Sequence, residues 1–502
     1  MRAINLYALT RNVEPEILPL FEKNISWREE KLRIRESEIA LIRIIVANLM
    51  LFHASKDCFD DWFYSFTIPQ ISKEFDLLKI GKNGITVNVE LKEQVVEEER
   101  IIKQLKQNRY YLSNVATTIY SYTYMQVDNT HYKILKLVND SLVETTFEDI
   151  IGNLHEVENP YTEDIEKHFR PKDYLISPIN TPKKFLDGEY FLTNQQESIK
   201  KSILEGLLDG DKLWGIRGSA GTGKTLLLYD MARFLSNDRR VCIIHSGILA
   251  EGHKIIDEQL ADLSIIEAKS ALKETLEQFD FICVDETQRL YASTLASILE
   301  LYNEGIIEGC IFSYDFAQCL SKKEIRRNNP QKLRNIDGFQ EMKLSDRIRT
   351  NKVIFSFIRT MLRLTEVPRK PMNYDCIDIM YANDITESDK LLRLYKNKGY
   401  TFITFTPSQF VSNGIDHYSA NINSHQVIGQ EFDNVVIIMD NNFRYSDDGD
   451  LEGKEHPNPD YLFPKLFYQN ISRTRERLCI IVLNNPKMFR KLLMIKENEL
   501  VR

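Results

Sequence analysis

Paired cysteines and long apolar runs are both lacking in this chain of 502 residues. Its seven cysteines are scattered and none stands in a Cys-x-x-Cys spacing, which argues against a disulfide framework or a cysteine zinc site. The most apolar run, 40–52, is 13 residues long and contains Arg43, so it is too short to span a bilayer. The first residues do not have the design of a secretion signal. We therefore expect a cytoplasmic protein without a membrane partner.

An excess of positive charge is lacking too, since the formal net charge is −8. A nucleic-acid-binding protein of this charge needs a local basic surface. The clearest candidate is the segment 322–334, with six basic residues and one acid, although such a segment alone is more typical of a solvated helix face. The length and a hydrophobic content of 43% allow several domains with buried cores.

What the chain does contain is a glycine-rich loop with the sequence GSAGTGKT, from Gly218 to Thr225. It follows a short apolar run and precedes a helical one, which is the strand–loop–helix context of a phosphate-binding loop. Backbone amides would converge on the phosphates, Lys224 would reach the β- and γ-phosphates, and the Thr225 hydroxyl would ligate Mg²⁺. The sequence thus predicts an ATP site that includes Gly218, Gly221, Gly223, Lys224 and Thr225.

Two acids follow the apolar run 279–284, at the point where a buried strand is predicted to end. Asp285 is expected to hold the Mg²⁺ that Thr225 ligates, and Glu286 to polarise the water that attacks the γ-phosphate. From about residue 186, apolar strands alternate with helices, which is typical of α/β folds with parallel sheets. Strands are predicted at 213–216, 241–245, 279–284, 310–314, 401–405, 435–439 and 478–483.

The order of short motifs after residue 186 resembles that of the superfamily 1 DNA/RNA helicases, which hydrolyse ATP between two RecA-like lobes. The motifs are LTNQQ ending at Gln196, DETQR from Asp285, YDFAQ ending at Gln318, LSDRIR ending at Arg349, the segment 423–433, and YQNISRTR around Arg473. The resemblance implies that Gln196 pairs with adenine and that Gln318 senses the γ-phosphate. It also implies that Arg349 and Arg473 come from the second lobe to stabilise the transferred phosphoryl group.

Asp285 lies only 61 positions after Lys224, so the additional domains of the well-known unwinding enzymes have no room there. The compact form resembles bacterial proteins with a Schlafen-type helicase domain. It favours translocation or ATP-gated binding over robust unwinding.

A β-hairpin is predicted before the helicase-like region, because two apolar-rich runs, 74–80 and 85–92, flank a Gly-Lys-Asn-Gly turn. A two-residue loop would put Asp76 and Glu90 on opposite faces of the hairpin. A three-residue loop with Gly84 in the left-handed region would put them opposite each other. We expect the second, because two convergent carboxylates beside Lys92 form a metal site.

The pattern Asp…Glu-x-Lys resembles the PD-(D/E)xK nuclease superfamily. The resemblance implies a restriction-endonuclease-like α/β domain in which Asp76 and Glu90 hold Mg²⁺ or Mn²⁺ and Lys92 orients water or stabilises charge. Glu38 would be the third acid, with Glu36 as its competitor. The segment 107–111 resembles the Gln-x-x-x-Tyr element of the RecB-like branch. An ordinary amphipathic hairpin with a surface Glu–Lys pair stays open as the alternative.

The resulting plan is an α/β protein with a nuclease domain at 1–130, a connecting segment at 131–185 and two RecA-like P-loop lobes at 186–345 and 346–502. The leading hypothesis is an ATP-dependent nuclease and helicase-like motor that acts on nucleic acid, with DNA favoured over RNA. Such fusions resemble bacterial nuclease–helicases that defend against phage. An ATP-gated binding switch, or a translocase with an inactive nuclease-like domain, is the alternative. An oligomer or a partner subunit is left open.

Overall fold

The computed structural model divides into two compact units, Met1–Tyr174 and Leu175–Arg502. The residues that the structure describes are 1–11, 14–29, 31–68, 73–128, 131–169, 174, 176–345, 352–407, 414–454 and 461–500. Among the helices of these residues, none combines the length and the apolar character that crossing a membrane demands.

The first unit is built on one six-stranded sheet whose spatial order follows the sequence. Strands β3 and β4 are parallel, whereas the other neighbouring pairs are antiparallel. The helix Glu98–Leu112 makes the crossover that a parallel pair requires. The strands are β1 (Phe63–Thr67), β2 (Glu74–Ile80), β3 (Ile85–Lys92), β4 (Thr118–Gln126), β5 (Tyr132–Val138) and β6 (Ser141–Thr145). The other helices are Leu6–Leu9, Leu18–Ser26, Glu36–Leu51 and Phe147–His155.

This unit runs past the boundary that we expected at residue 130. Strands β5 and β6 pair with each other and β5 pairs with β4, so the start of the expected connecting segment belongs to the sheet. The helix Phe147–His155 packs its buried residues Phe147, Ile150 and Leu154 into the same core. The first unit therefore extends to Tyr174.

The hairpin between β2 and β3 has the register expected from the sequence. Leu77 pairs with Val89 and Ile80 with Thr86, and one further step of the same register sets Asp76 opposite Glu90. The Gly81 N–H donates to the Ile85 carbonyl at 2.8 Å, which leaves a three-residue loop. Gly84 has a φ of +81°, a conformation that glycine adopts without steric cost. The three-residue loop is confirmed.

The second unit contains two parallel sheets. The first has the order β12-β7-β11-β10-β8-β9, and all its neighbouring pairs are parallel. Its strands are β7 (Leu213–Gly218), β8 (Val241–His245), β9 (Leu263–Glu267), β10 (Phe281–Asp285), β11 (Gly309–Tyr314) and β12 (Phe339–Leu344). The helices around it are Pro182–Leu186, Asn194–Asp209, Lys224–Leu235, Glu251–Gln259, Lys273–Leu276, Ala292–Asn303, Lys322–Arg327 and Asn329–Arg334.

The other sheet has four parallel strands in the order β13-β18-β15-β14. The strands are β13 (Ile377–Ala382), β14 (Thr401–Phe402), β15 (Phe432–Met439) and β18 (Thr474–Leu483), and a separate antiparallel pair consists of β16 (Phe443–Tyr445) and β17 (Leu451–Gly453). The helices are Lys352–Leu362, Ile385–Asn397, Phe463–Ile471 and Pro486–Lys496. Two parallel α/β sheets in one chain match the fold class expected for this region.

Candidate nucleotide site and carboxylate cluster

The glycine-rich loop leaves the carboxyl end of β7 and leads into the helix Lys224–Leu235. Gly221 and Gly223 have φ values of +73° and +82°, so the loop uses the left-handed conformations that glycine allows. Lys224 begins the helix, and its Nζ donates to the Ser219 carbonyl at 3.1 Å. The lysine thus folds back over the loop, towards the place where phosphates would lie.

Asp285 lies at the carboxyl end of β10, beside this helix. Thr225 Oγ1 donates to Asp285 Oδ2 at 3.2 Å, and Ser313 Oγ on the adjacent β11 donates to Oδ1 at 2.5 Å. Burial and the charge of Glu286 together raise the pKa of Asp285 to about 6, although Ser313, Lys224 and Thr225 oppose the shift. The hydroxyl of Thr225 and the carboxylate of Asp285 form an oxygen pair that fits Mg²⁺.

Glu286 is held in an unusual backbone conformation next to Asp285. Its φ is +55°, which is uncommon outside glycine and recurs at functional sites. Only 3% of the residue is exposed, and Gln288 Nε2 donates to its Oε2 at 2.5 Å. Burial by itself would raise the pKa of Glu286, but Arg289, Lys224 and Arg473 outweigh burial and lower it. The side chain is therefore a charged carboxylate able to accept a proton from water.

Two arginines, each adjacent to a different parallel sheet, meet at one glutamine. Gln469 Oε1 accepts from an Nη2 of Arg289 at 3.0 Å and from an Nη2 of Arg473 at 3.1 Å. Arg289 follows the acid pair, whereas Arg473 immediately precedes β18. Burial lowers the pKa of Arg473. Arg289 is 6% exposed, and its Nε and Nη1 have no partner within the described residues. These free donors lie beside Glu286, where an anionic oxygen would satisfy them.

The expected adenine-reading residue, Gln196, lies against the loop in a helix cap. Its Oε1 accepts from the Thr193 N–H at 3.0 Å and its Nε2 donates to the Gly223 carbonyl at 3.2 Å. Thr193 Oγ1 in turn accepts from the Gln196 N–H, which completes a capping box at the start of the helix Asn194–Asp209. Both ends of the Gln196 amide are thus engaged within the chain, and base pairing by this residue stays a prediction.

The other two residues expected to contact the phosphate are Gln318 and Arg349. Gln318 is buried, and its main-chain carbonyl accepts from Arg289 at 3.0 Å. Its side-chain Nε2 lacks a partner in the part of the chain that the structure describes. Arg349 lies outside the described residues.

Sequence reasoning missed the supporting polar residues of this site, which are Gln288, Arg289, Ser313 and Gln469. Gln288 and Arg289 directly follow the acid pair, so their position alone could have drawn attention to them. Gln469 stands four residues before Arg473, in the helix that ends at Ile471, so its closeness to Arg473 in the sequence was a signal.

In the first unit, the hairpin brings Asp76 and Glu90 together. Asp76 Oδ2 accepts from the Leu91 N–H at 2.7 Å. Glu90 is 1% exposed, its Oε1 accepts from Asn108 Nδ2 at 2.6 Å, and Gln104 donates to its Oε2. Burial raises the pKa of Asp76 well above its ordinary value, and the charge of Glu90 adds to this, while the Leu91 N–H and Lys92 oppose it. The carboxyl groups of Asp76 and Glu90 are thus buried together, and the Leu91 N–H and Lys92 only partly offset the repulsion between their negative charges.

Glu38 and two lysines surround this pair. Burial raises the pKa of Glu38, a hydrogen bond with Tyr64 opposes the shift, and the charge of Glu38 in turn raises the pKa of Asp76. Glu36 is exposed. Burial lowers the pKa of Lys73, whereas Glu90 and Asp76 act against this shift, so Lys73 shares their environment together with Lys92. Lys73 was not anticipated from the sequence.

The helix that covers the pair uses other residues than the expected Gln-x-x-x-Tyr element. Gln104 and Asn108 reach Glu90, whereas Gln107 hydrogen-bonds Tyr111. Within the described ranges, no three or more His, Cys, Asp or Glu side chains are grouped as a metal site would require. Asp76 and Glu90 alone offer hard oxygen ligands of the kind that Mg²⁺ and Mn²⁺ accept, and the metal assignment stays a prediction.

Comparisons with known proteins do not identify a family for this chain. No protein-family model and no curated protein match the chain. The solved structures that it resembles include a Pif1 helicase from Candida albicans, at 14% identity and a TM-score of 0.33 over 62% of this chain and 99% of that one. A Pif1 helicase from Bacteroides in complex with ADP-AlF3 and ssDNA has 13% identity and a TM-score of 0.32 over 61% and 98%. Scores at this level do not establish kinship.

Proposed function

We propose that the second unit is an ATPase of the helicase or translocase type that acts on nucleic acid. The observation that supports this best is the charge arrangement around Glu286. A buried carboxylate with a lowered pKa lies beside a phosphate-binding loop. Arg289, in the turn after β10, and Arg473, immediately before β18, share one acceptor next to it. A site that only bound nucleotide would need neither the base nor a second-sheet arginine.

The roles follow from the geometry of the residues. The loop amides and Lys224 hold the phosphates, and Thr225 with Asp285 would hold Mg²⁺, which when bound neutralises charge on the β- and γ-oxygens. Glu286 accepts the proton of the attacking water. Arg473 and Arg289 donate to the oxygens on which negative charge accumulates.

Coupling to a nucleic acid strand rests on the link between the two sheets. Gln469 holds Arg289 and Arg473 at one oxygen, so a shift of one sheet against the other changes the arginine positions at the nucleotide. A strand held by both sheets would therefore alter the rate of hydrolysis, and hydrolysis would alter the grip on the strand.

The test is ATP hydrolysis by the full chain with and without single-stranded DNA or RNA. We expect strands to raise the rate, and Lys224→Ala to abolish both the basal and the stimulated rate. Lys201→Ala, at an exposed lysine on the helix Asn194–Asp209, is the matched control and keeps both. If strands leave the Lys224-dependent rate unchanged, the proposed motor is wrong and a bare ATPase remains.

A second candidate function is metal-dependent cleavage of nucleic acid, with DNA favoured, by the first unit. It is supported by the opposed carboxylates of Asp76 and Glu90, whose burial leaves negative charge that a divalent cation would neutralise. Lys92 and Lys73 supply positive charge for a scissile phosphate. Glu38 is near enough to raise the pKa of Asp76, and it would have to move towards the pair to become the third metal ligand.

This function is tested by incubating the full chain with labelled single- and double-stranded DNA and RNA, while Mg²⁺, Mn²⁺ and ATP are varied independently. Glu90→Gln and Lys92→Ala should each abolish cleavage, whereas Glu98→Gln, at an exposed acid on the adjacent helix, should retain it. Cleavage that survives Glu90→Gln would exclude the assigned site. Hydrolysis of ATP without any cleavage would favour a translocase or switch with an inactive nuclease-like domain. The antiviral role implied by resemblance would show as plaque reduction that Lys224→Ala abolishes.

A further inference from the structure

A cavity of about 790 Å³ lies at the far end of the second parallel sheet from the nucleotide site. Asn441 and Asn485, which line it, follow the carboxyl ends of β15 and β18. In open α/β sheets, this end is where ligands bind. Arg473 precedes the other end of β18, and a strand of ten residues is about 30 Å long. The cavity is therefore separate from the ATP site.

The walls of this cavity are fixed by hydrogen bonds. Asn485 Nδ2 donates to the carbonyls of Asp440 at 3.1 Å and Phe443 at 2.9 Å. Its Oδ1 accepts from the Met488 N–H at 3.2 Å, at the start of the helix Pro486–Lys496. One side chain thus joins the ends of two strands to a helix, so the cavity is formed before any ligand arrives.

The rim of the cavity is basic. The residues that line it include Arg444, Lys454, Lys487, Arg490 and Lys491, and none of the described lining residues is acidic. Arg444 pairs with Glu452 at 3.1 Å, while the other four make no ion pair within the described ranges. Three of the basic residues share one helical face by their spacing. Lys454 also lies near the buried Asp440, so the positive potential of the concave site comes mainly from Lys487, Arg490 and Lys491. Such a potential attracts polyanions.

The floor of the cavity is apolar. Phe443 and Met488 are buried beneath it, and Tyr445 and Met494 are half-buried at its side. A small inorganic anion has no apolar surface that could pack against this floor. A single strand offers unpaired bases to an apolar surface and phosphates to a basic rim, whereas the bases of a duplex are stacked inside it. The combination favours a single strand.

We propose that this basic cavity binds a second segment of single-stranded nucleic acid, about 30 Å from the nucleotide site. The inference rests on the proposed function, because it assumes that the second unit engages strands. It adds a contact that only strands long enough to reach the cavity can make.

The test pairs two charge reversals in the full chain. Lys487→Glu with Arg490→Glu changes the cavity, and Lys390→Glu with Arg393→Glu is the control, since this Lys–Arg pair has the same spacing on the exposed side of the helix Ile385–Asn397. Affinity for oligo-dT of about 8 and about 30 nucleotides is measured across salt concentrations. Two lost phosphate contacts should reduce the slope of log K against log salt by about 1.4 for single strands.

We expect the cavity variant to bind the long oligomer at least tenfold more weakly at about 0.1 M salt, where such contacts matter most. It should bind the short oligomer and hydrolyse ATP without strands as the wild type does. The control should match the wild type in every assay. The milder Lys487→Gln with Arg490→Gln should give a smaller loss in the same direction, which separates a binding defect from misfolding.

Equal affinities of variant and wild type for the long oligomer would overturn the inference and leave the proposed function standing, as would equal losses for both lengths. A variant that loses affinity for ADP but keeps strand binding would also overturn it, because the cavity would then hold a free nucleotide. If the wild type binds neither oligomer, the proposed function itself fails.

Discussion

The two units each bury a pair of acids, and the pKa of one acid in each pair is shifted in opposite directions, downward for Glu286 and upward for Asp76. Around Glu286, three basic residues outweigh burial and lower the pKa. Around Asp76, burial and the charge of Glu90 prevail and the pKa is well above its ordinary value. Around Glu286 the chain therefore supplies its own counter-charge, whereas Asp76 needs a proton or a cation from outside. A metal-dependent reaction suits the second situation and a charged general base suits the first.

The largest expected effect concerns Glu286, the proposed catalytic base. Glu286→Gln should lower kcat for ATP hydrolysis by about 10²–10⁴ while ATP binding is retained, because proton transfer to a positioned base contributes that much. Asp76→Asn should leave hydrolysis within about twofold, since it belongs to the other unit. Steady-state hydrolysis and nucleotide titration check both. Equal losses in the two variants would remove the distinction between the acid pairs.

A smaller effect on ATP hydrolysis is expected at Gln469, which accepts hydrogen bonds from both Arg289 and Arg473. Gln469→Leu should lower kcat about tenfold with little change in KM for ATP, because the arginines act on charge that develops in the transition state. Gln331→Leu, at an exposed glutamine, is the control. A change in KM alone would indicate that the two arginines serve ground-state binding.

Replacing the acid by its amide should raise local stability at Asp76 and lower it at Glu286. Asp76→Asn relieves buried repulsion and should raise amide protection in β2 and β3 about fivefold, the equivalent of about 1 kcal/mol. Glu286→Gln removes negative charge beside Arg289 and Arg473 and should lower protection in β10 and β11 by a similar factor. Hydrogen exchange of the full chain, without divalent cations, measures both. Protection that moves the same way in both variants would contradict the comparison.

The smallest effects should appear as pH dependence. The raised pKa of Asp76 means that the folded state binds this proton more tightly, so stability of β2 and β3 without metal should fall as pH rises from about 4. Mn²⁺ should reverse the loss. At limiting Mg²⁺, ATP hydrolysis should fall as the pH drops through about 6, because Asp285 must be ionised to bind the metal. A flat pH profile at limiting Mg²⁺ would show that Asp285 is not a ligand.

Short-range patterns in the sequence were sufficient for part of this architecture. The loop from Gly218 to Thr225 and the hairpin around Gly84 depend on residues within a few positions, so their conformations followed from local chemistry. The edge strand β12 was missed, because its polar, half-exposed residues do not form an apolar run. The boundary at residue 130 failed to include β5 and β6, since only pairing with β4 makes them part of the sheet.

The features that the sequence did not predict depend on contacts between residues far apart in the chain. The bond between Arg289 and Gln469 joins residues 180 positions apart, and no periodicity reports it. Gln196 shows the converse case. It lies beside the loop, but Thr193 engages its amide in a helix cap, and this capping role competes with the expected role at adenine.

The central strand β18 has a mechanical consequence. It is hydrogen-bonded on both sides, to β13 and β15, so a displacement of its first residues carries both neighbouring strands with it. If Arg473 has its proposed role at a phosphate, we expect the sheet to rotate as one body when the site closes. Over the length of about 30 Å, a rotation of about 10°, modest for hinge closure, displaces the far end by about 5 Å. A small rotation near the proposed nucleotide site would thus become a displacement of several ångströms at the far end of the strands.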